Sequence, residues 1–440
     1  MTCPPVACSS RRRRLDAGVL APVPQVPALN ILIHCQVYWP DNTAVSQMIT
    51  AVAEDARKAG HPVTVVTSAK GYNQNETYGR SESHHGVNIV RVGGLSLNRH
   101  RAAGRVLNYV AFVGLSTIRA LRLPKPDCFV VTSVPPLSLW TGVLFSRLRR
   151  VPVVYVIEDL YPDILFASGL VRRESIWGRT LHRVFANWMR QMTATIVLGD
   201  YMKRRLLETY PRLVEKHVYP IHNWQDGDSL HPAARSSSAG SPVVFQYSGN
   251  LGTAHDFATM MTAVRRLRDE AEIEFEFIGR GKHLDYIERE IRQGQLSNCR
   301  VRDYVPQAQL NDSLNRADVC LVTLGRGYEG LIVPSKIYGI MAVGKPALYV
   351  GPSSGEIPDL IREHAIGWVV EPGDDNRLVE VIREAARRPD VREEYGANAR
   401  RAFDMFYERK IATAKYVEVF EKCVKRHVAA QTNHSSCAAS

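Results

Sequence analysis

The chain has 440 residues, of which 45% are hydrophobic and 23% charged, so it is globular and too long for one ordinary core. Its formal net charge of +12 favours an anionic partner, and phosphate-bearing substrates, an acidic membrane surface and nucleic acid all fit that charge. Eight cysteines without a CxxC pair argue against a disulfide framework or a zinc site and favour a reducing, cytosolic location.

Both ends of the chain are predicted to be disordered tails, at residues 1–28 and 426–440. The first combines four consecutive arginines with a proline-rich run, and Asp16 and the prolines interrupt its only candidate signal sequence. A membrane span is not predicted either. The uncharged stretch Cys128–Ser146 contains two adjacent prolines and fits a strand, a turn and a helix, while Val106–Ile118 is too short.

Strand-like and helix-like patterns alternate from residue 29 onward. The apolar run at 29–36 predicts a strand, the next residues, 43–59, predict a helix that Gly60 ends, and 62–68 predicts the second strand. Later strands are predicted at 128–133, 151–158 and 193–199, with a helix at 176–192. This βαβ rhythm indicates a mostly parallel sheet covered by helices on both faces.

A second unit of the same kind is predicted after a linker. Residues 223–242 are rich in Ser, Gly, Pro and Ala without periodicity. Strands are then predicted at 243–249, 272–281, 299–306, 317–324 and 345–351, with helices at 257–269, up to about 293, 377–386 and 391–425. We therefore expect an α/β fold with two Rossmann-like domains, at 29–225 and 243–402, joined by a linker at 226–242.

Ligands of open parallel sheets bind at the carboxyl ends of the strands. In Tyr247–Phe257 a predicted strand is followed by Gly249 and Gly252 around Asn250 and then by a helix. Glycine allows close backbone approach and free helix amides attract phosphate, to which Asn250 and His255 could donate. An ordinary tight turn is the alternative.

Two further loops offer positive charge. Arg280 and Lys282 follow a strand in a Gly-x-Gly that lacks the third glycine of a dinucleotide fingerprint, so they predict either a diphosphate contact or a surface turn. Lys336 opens an apolar helix that Ser335 could cap. A lysine there opposes the helix dipole by roughly a few tenths of a kcal/mol, so it either contacts an anion or is simply solvated.

Acidic residues follow the predicted strand at 151–158. Glu158, Asp159 and Asp163 could act as a base, bind sugar hydroxyls or cap a helix. Asp226 and Asp228 form a D-x-D pair, but it lies in the linker, where Asp and Gly are ordinary turn residues. We predict no metal site.

The order and spacing of these segments resemble the retaining family-4 glycosyltransferases of the GT-B fold, over about residues 29–425. Glu329-Gly330, Pro334-Ser335-Lys336 and Gly344-Lys345-Pro346 look like the donor-binding segment of that family. Within it the chain looks most like the WbuB type, N-acetyl-L-fucosamine transferases of O-antigen and capsule assembly. The resemblance implies two domains facing across a cleft, with a last helix near 403–425 crossing back to the first domain.

The resemblance also implies roles for individual residues. The expected catalytic residues are Glu158, Asp159 and Glu329. The expected donor-binding residues are Gly249, Asn250, Gly252, His255, Arg280, Tyr304, Val305, Glu329, Pro334, Ser335 and Lys336. The expected acceptor-side residues are Asp41, Asn42 and Ser46. No cofactor and no nucleic acid is expected. The expected partners are a nucleotide-sugar donor and a polyprenyl-diphosphate-linked or glycan acceptor.

Two departures from the family pattern matter. Ile337 stands where the second glutamate of E-x7-E is expected, and Gly339 stands where proteins with Pro-Ser-Lys tend to carry it, so the ribose-binding carboxylate is absent or supplied elsewhere. Asn250 and His255 replace the arginine and lysine of the family's phosphate loop. A nucleotide-sugar epimerase of similar fold and a non-catalytic binding paralogue are the alternatives.

The basic excess also has two interpretations. Basic runs at 147–150, 172–175 and 203–205, with Phe185, Trp188 and Met189 interleaved, predict either a solvated face or docking on an anionic membrane surface. In the second case the protein is cytoplasmic and peripheral on the inner face of the plasma membrane.

Overall fold

The structure is a computed structural model that describes residues 27–71, 76–95, 102–233 and 240–437. Residues 1–26, most of the expected amino-terminal tail, lie outside the described residues, as do parts of the expected linker at 234–239.

The first domain is built on an eight-stranded sheet. Its order is β3-β4-β2-β1-β5-β6-β7-β8, and all neighbours pair in parallel except β3, which runs antiparallel to β4. The strands are β1 (Ile31–His34), β2 (Val63–Ser68), β3 (Ser81–His84), β4 (Val87–Val92), β5 (Cys128–Thr132), β6 (Val153–Val156), β7 (Ala194–Val197) and β8 (Val218–Pro220). The central strands β1, β5, β6 and β7 are buried throughout, as expected for strands covered on both faces.

Helices cover both faces of this sheet. They are α1 (Ala44–Lys58), α2 (Ala102–Leu121), α3 (Ser138–Leu144), α4 (Asp163–Ala167), α5 (Ile176–Met189) and α6 (Asp200–Thr209), with a π-helical turn at Phe145–Arg149. α3 packs against α2 and α5. α1 lies on the opposite face. The connection from β1 to β2 and the connection from β5 to β6 run in opposite directions along the sheet, and right-handed crossovers then place their helices on opposite faces.

The second domain has a six-stranded, fully parallel sheet in the order β11-β10-β9-β12-β13-β14. Its strands are β9 (Val243–Ser248), β10 (Ile273–Ile278), β11 (Cys299–Arg302), β12 (Val319–Thr323), β13 (Ala347–Val350) and β14 (Gly367–Val370). Its helices are α7 (Ala258–Arg266), α8 (Leu284–Gly294), α9 (Leu310–Asn315), α10 (Lys336–Ala342), α11 (Glu356–His364), α12 (Asp375–Arg387) and α13 (Pro389–Ala402). The strand order reverses between β9 and β12, so the ligand crevice is expected at their carboxyl ends.

The end of the chain differs from the expectation of one helix over 391–425. After α13 a π-helical turn at Phe403–Tyr407 leads to Glu408, which is extended, and α14 (Arg409–Cys437) then begins. Gln225 holds this break, since its N–H donates to Tyr407 O at 3.3 Å and its carbonyl accepts from Arg409 N at 2.9 Å. α14 packs against α1 of the first domain and reaches Cys437, within the segment 426–440 for which a tail was expected.

The carboxyl edges of the two sheets face each other. Leu160 N donates to Leu331 O at 2.9 Å, Tyr201 N donates to the Glu356 carboxylate at 2.9 Å, and Gln47 Nε2 lies 3.2 Å from Gln307 Oε1. The predicted fold class, two Rossmann-like α/β domains across a cleft with a helix that crosses back, is confirmed. None of the described helices combines the length and the apolar composition that a membrane crossing requires.

Candidate functional site

Two glycine-rich loops press together at the carboxyl ends of β9 and β10. Gly249 and Gly279 both have φ of +139°, a conformation that side chains rarely adopt. A Cβ at Gly279 would overlap the carbonyl of Gly249, and one at Gly281 would overlap that of Leu251. Leu251 N donates to Arg280 O at 2.9 Å, which ties the two loops together. The glycines are therefore required by close packing of backbone on backbone.

The ammonium of Lys336 lies beneath the first of these loops. Its Nζ is 3.4 Å from the centroid of the Tyr247 ring, and a Cβ at Gly249 would be 3.2 Å from it. This nitrogen is shielded from solvent and has no hydrogen-bond partner in the described part of the chain. Burial lowers the pKa of Lys336 well below its ordinary value. Such a nitrogen gains stability from any anion that reaches the Gly249 loop.

His255, at the far end of the same loop, is held by the backbone. Its Nδ1 lies 2.7 Å from Thr323 O, so Nδ1 carries the proton and donates, because a carbonyl only accepts. Burial first, and the charge of Lys336 second, lower the pKa of His255 to about 4. The ring is therefore neutral at pH 7 with a lone pair on Nε2, and it donates to a phosphate only after taking up a proton.

Arg280 is already paired. Its guanidinium binds the carboxylate of Asp303 through two nitrogens, with Nε at 2.6 Å from Oδ1, and both side chains are exposed. This pair lowers the pKa of Asp303 to about 2. Tyr304, half exposed, lies with its hydroxyl 3.5 Å from Arg280 O, and Val305 follows it in the same loop. The pair with Asp303 uses Nε and Nη2, so a diphosphate that approaches Arg280 meets a guanidinium whose charge is already partly balanced.

Asn250 contributes its backbone to the loop architecture. The Tyr247 hydroxyl donates to Asn250 O at 2.7 Å, which closes the turn after β9. The Asn250 side chain lies beside Gly252, where a Cβ would be 3.1 Å from Nδ2. Asn250 is exposed, so its amide is accessible from the cleft side of the loop.

The segment that contains Glu329 belongs to the contact between the domains. Gly330 has φ of +70°, and a Cβ there would be 3.0 Å from both Tyr201 and Arg205 of α6. The Ser335 side chain makes no capping hydrogen bond to α10, so the expectation that it caps this helix is wrong. Its main chain is already helical, and Ile337 N instead lies 3.3 Å from Pro334 O.

The two acids after β6 differ in environment. Glu158 is buried, its Oε1 has no hydrogen-bond partner among the described residues, and burial followed by the charge of Asp159 raises its pKa to about 8. Burial raises the pKa of Asp159 to about 6. Ser133 Oγ accepts from the backbone N–H groups of both residues, at 3.0 and 3.2 Å. At pH 7 Glu158 is mostly protonated, whereas Asp159 is mostly ionised.

The expected acceptor-side residues lie around the start of α1. Thr43 caps this helix through the N–H of Ser46 at 3.2 Å, and the Ser46 hydroxyl is buried without a hydrogen-bond partner in the described ranges. Asn42 is exposed and Asp41 is half-buried. Asp41 lies at the carboxyl end of β1, beside Gly71 of the loop after β2. The buried Ser46 hydroxyl is therefore less accessible to a ligand than Asn42.

Models of two protein families match the chain. A glycosyl transferase 4-like domain matches residues 43–224, and glycosyl transferases group 1 matches residues 233–402. Both domains of the chain thus match families of glycosyltransferases. The first matched segment coincides with the domain that carries Glu158 and Asp159, and the second with the domain that carries Lys336.

Two relatives with described roles are similar to this glycosyltransferase over much of their length. The probable glycosyltransferase WbjE of Pseudomonas aeruginosa is 29% identical over 297 residues, which are 65% of this chain and 73% of WbjE. The putative colanic acid biosynthesis glycosyl transferase WcaI of Escherichia coli K12 is 25% identical over 383 residues, 82% of this chain and 93% of WcaI.

Solved structures show the same fold. The sucrose-phosphate synthase from Thermosynechococcus elongatus has a TM-score of 0.71 at 16% identity, covering 89% of this chain and 98% of that one. Anabaena HepE, solved in complex with UDP and glucose, has a TM-score of 0.66 at 14% identity, covering 90% of this chain and 100% of that one. At these identities the likeness concerns the fold alone.

The structure shows why this glycosyltransferase has no second acid in α10. Ile337 is fully buried, and a Cβ at Gly339 would lie 3.6 Å from Leu230 and 3.7 Å from Leu314. A carboxylate at position 339 would lie against Leu230, Leu314 and the side chain of Gln225, and one at position 337 would be buried. Burial of an ionised group there is unfavourable.

One acid of the glycosyltransferase escaped the sequence analysis. Glu356, at the start of α11, accepts from Tyr201 N across the domain boundary, and burial raises its pKa to about 7. A Cβ at Gly199 would overlap this carboxylate, and His222 Nδ1 lies 3.3 Å from it. The sequence shows only Gly199 before α6 and Glu356 at the start of α11. Neither residue indicates that the ends of these two helices meet.

Two groups of potential metal ligands have other partners. Asp226 accepts from the N–H groups of Asp228 and Ser229 in a turn, at 2.9 and 3.4 Å. In the described ranges Glu54, His84 and His85 bring ligand atoms within 4.8 Å of one another, but Glu54 also accepts from Arg409 at 2.9 Å. The guanidinium competes with a cation for this carboxylate.

Proposed function

We propose that this glycosyltransferase moves a sugar from a nucleoside diphosphate sugar to an acceptor hydroxyl, with retention of the anomeric configuration. The observation that carries the proposal is the buried ammonium of Lys336 beneath the Gly249 loop, without an acceptor among the described residues. Isolated buried charge is unfavourable, so a ligand that brings negative charge is stabilised there. A departing diphosphate develops that charge in the transition state.

The donor proposed is a UDP-linked sugar, with an N-acetylamino group on the transferred ring. Its diphosphate lies on Gly249, Asn250 and Gly252 and pairs with Lys336. Glu329 contacts hydroxyls of the sugar or the ribose. HepE, which shares the fold, has been solved with UDP-glucose, and the resemblance to the WbuB type supports the amino sugar.

The chemistry needs one bond to break and one to form at the anomeric carbon. The bond from this carbon to the diphosphate oxygen breaks, its electron pair leaves with the nucleotide, and the acceptor oxygen bonds to the same carbon. Asp159, mostly ionised at pH 7 because its pKa is about 6, orients the acceptor hydroxyl and takes up its proton as the new bond forms. Glu158, mostly protonated, supports the loop that carries Asp159. No protein nucleophile is assigned.

The acceptor proposed is a polyprenyl-diphosphate-linked sugar or a growing glycan of a cell-surface polysaccharide. The names of WcaI, in colanic acid biosynthesis, and WaaG, in lipopolysaccharide biosynthesis, support this class of pathway. Asp41, Asn42 and Ser46 line the acceptor side. The protein acts in the cytoplasm, on the inner face of the plasma membrane.

Release of UDP from UDP-linked amino sugars, measured with and without polyprenyl-diphosphate glycans, tests the function. We expect release that depends on the acceptor and a product that retains the anomeric configuration. Conversion of the donor to an epimer without acceptor would replace the proposal with an epimerase. Donor binding without any turnover across the acceptors would indicate a non-catalytic binding protein.

A further inference from the structure

Helices α2, α3 and α5 form one layer over the first sheet. α3 packs against both of its neighbours. Thr117 Oγ1 of α2 lies 2.7 Å from Thr141 Oγ1 of α3, and the rings of Trp140 and Trp188 are 5.5 Å apart between α3 and α5. We call the solvent side of this layer the α2–α3–α5 face.

α2 is apolar on both of its sides. Towards the sheet it buries Phe112 and Val113, which are 2% and 6% exposed. Towards solvent it presents five large apolar side chains that are each 48% to 53% exposed: Val106, Leu107, Val110, Leu115 and Ile118. Contiguous exposed apolar surface of this kind marks an interaction site in a soluble domain.

Several apolar side chains of this face lie towards the cleft. Helices that follow parallel strands begin at the carboxyl edge of the sheet, the edge that the second domain faces. The amino-terminal halves of these helices carry Val106 and Val110, Trp140 at 41% exposure, and Ile176 and Trp177 at 73% and 77%. Tryptophan is enriched where protein meets the boundary between lipid and water.

The charges of the α2–α3–α5 face have one sign. Residues 102–121, 138–149 and 176–189 contain no aspartate or glutamate, although the chain has 44 acidic residues. Exposed arginines lie on these helices or directly after them, at positions 119, 147, 150, 179 and 183. A surface that combines apolar side chains with only positive charge complements anionic phospholipid headgroups.

We propose that the α2–α3–α5 face docks on the surface of a bilayer that contains anionic phospholipid, with the mouth of the cleft towards the lipid. The proposal deepens the proposed function, since a lipid-linked acceptor then enters the cleft from the membrane plane. Helices that lie in the interface bury apolar side chains among the acyl chains while basic side chains contact headgroups. This surface differs from the one that the sequence alone indicated.

Part of the docking surface expected from sequence faces elsewhere. Phe185 and Met189 are 3% and 2% exposed and belong to the core. Lys203 pairs with Glu215 at 3.5 Å, and Arg204 pairs with Asp359 of the second domain at 3.6 Å. The basic segment of α6 therefore serves the contact between the domains.

Flotation of the full chain with phospholipid vesicles tests the proposal. We expect flotation with vesicles of phosphatidylcholine and phosphatidylglycerol, weaker flotation with phosphatidylcholine alone, and a decrease as salt is raised. The double variant Val106→Glu/Val110→Glu should bind anionic vesicles roughly tenfold more weakly, because it places charge among the apolar side chains. Arg179→Gln/Arg183→Gln should weaken binding to anionic vesicles only.

Met405→Glu is the matched control, because Met405 is 58% exposed in the π-helical turn that packs on α10 and α13 of the second domain, and its substitution should leave flotation unchanged. Equal binding of the double variant and the wild type, equal binding to both vesicle types, or no binding would overturn the proposal. If the wild type is a dimer in solution and does not bind vesicles, and the double variant is a monomer, the face serves self-association. Thermal stabilisation by UDP-sugars is measured on the same samples. Loss of donor binding, which would contradict the proposed function, is thereby distinguished from loss of vesicle binding.

Discussion

Lys336 and Tyr247 meet face on, with the ammonium nitrogen 3.4 Å from the ring centroid. The negative face of an aromatic ring attracts a cation, so the ring partly replaces the water that Nζ has lost. It offers no lone pair for a hydrogen bond, however. The lysine is therefore held in place while its capacity to donate hydrogen bonds remains available, at the loop where the sheet order predicts a ligand.

The buried lysine predicts that nucleotide binding depends on pH. Burial lowers the pKa of Lys336, and a bound diphosphate favours the protonated amine, so UDP binding should take up a proton in the pH range between the pKa values of the free and the bound protein. Affinity should fall as pH rises, by up to about tenfold per pH unit above the pKa of the free protein. Calorimetric titration with UDP in buffers of different ionisation enthalpy measures this uptake. Lys336→Arg should abolish the dependence, and its persistence there would assign the proton to another group.

Gly249→Ala should weaken nucleotide binding. The new Cβ meets Lys336 Nζ at 3.2 Å, and φ of +139° is unfavourable for alanine. We expect roughly tenfold weaker UDP binding with a modest loss of thermal stability. Gly79→Ala is the control, since a Cβ there has no atom within 4 Å. Unchanged UDP affinity in Gly249→Ala would remove this loop from the donor site.

Asp159→Asn should separate transfer from donor binding. The amide cannot accept a proton, so transfer should fall by roughly 100-fold while stabilisation by the donor is retained. Because burial raises the pKa of Asp159 to about 6, the wild-type rate should rise through about that pH and then level off. The rate of the variant should lack this rise with pH. A normal pH profile in Asp159→Asn would show that another group orients the acceptor.

Gly199→Ala should loosen the contact between the domains. Its Cβ would overlap the carboxylate of Glu356, which accepts from Tyr201 N at 2.9 Å across the boundary. We expect a larger radius of gyration by small-angle scattering and a KM for the acceptor raised several-fold, because the cleft must close around both substrates. UDP binding, which involves the second domain, should change little. An unchanged radius of gyration and KM would show that Glu356 does not hold the domains.

Burial of Glu356 also predicts a pH dependence of this contact. Its pKa in the folded protein, about 7, lies above the ordinary value of 4.5, so the folded state holds a proton that the unfolded state has released. The contribution of this group to the free energy of unfolding is therefore full below the ordinary pKa and is lost as pH rises through about 7. Glu356→Gln should flatten that part of the stability profile.

The fold was predictable because its central strands are short runs of buried, mostly β-branched residues between helical patterns. The alternation of β6, α5 and β7 illustrates this. The break at Glu408 was not predictable, because it depends on backbone hydrogen bonds to Gln225, which is far away in the sequence. Local periodicity continues through such a break, so the sequence predicted one helix.

The candidate site was predictable where chemistry conflicts with packing, as at Lys336. The roles of side chains that depend on a partner distant in the sequence were not predictable. Arg280 finds Asp303 only because β10 pairs with β11 in parallel. Glu158 and Asp159 are neighbours at the same strand end, and only the surrounding structure raises their pKa values to about 8 and about 6.

A thermal-shift comparison of the wild type and Lys336→Ala with UDP-, GDP-, ADP- and dTDP-sugars tests the central claim most directly. Loss of a charge-assisted hydrogen bond costs about 1.5–3 kcal/mol, or roughly 10- to 150-fold in affinity. We predict that one nucleotide class stabilises the wild type and that the variant loses most of that shift. Lys410→Ala, at a lysine that is 84% exposed, should keep it. Undiminished stabilisation of Lys336→Ala would contradict the assignment of the diphosphate site.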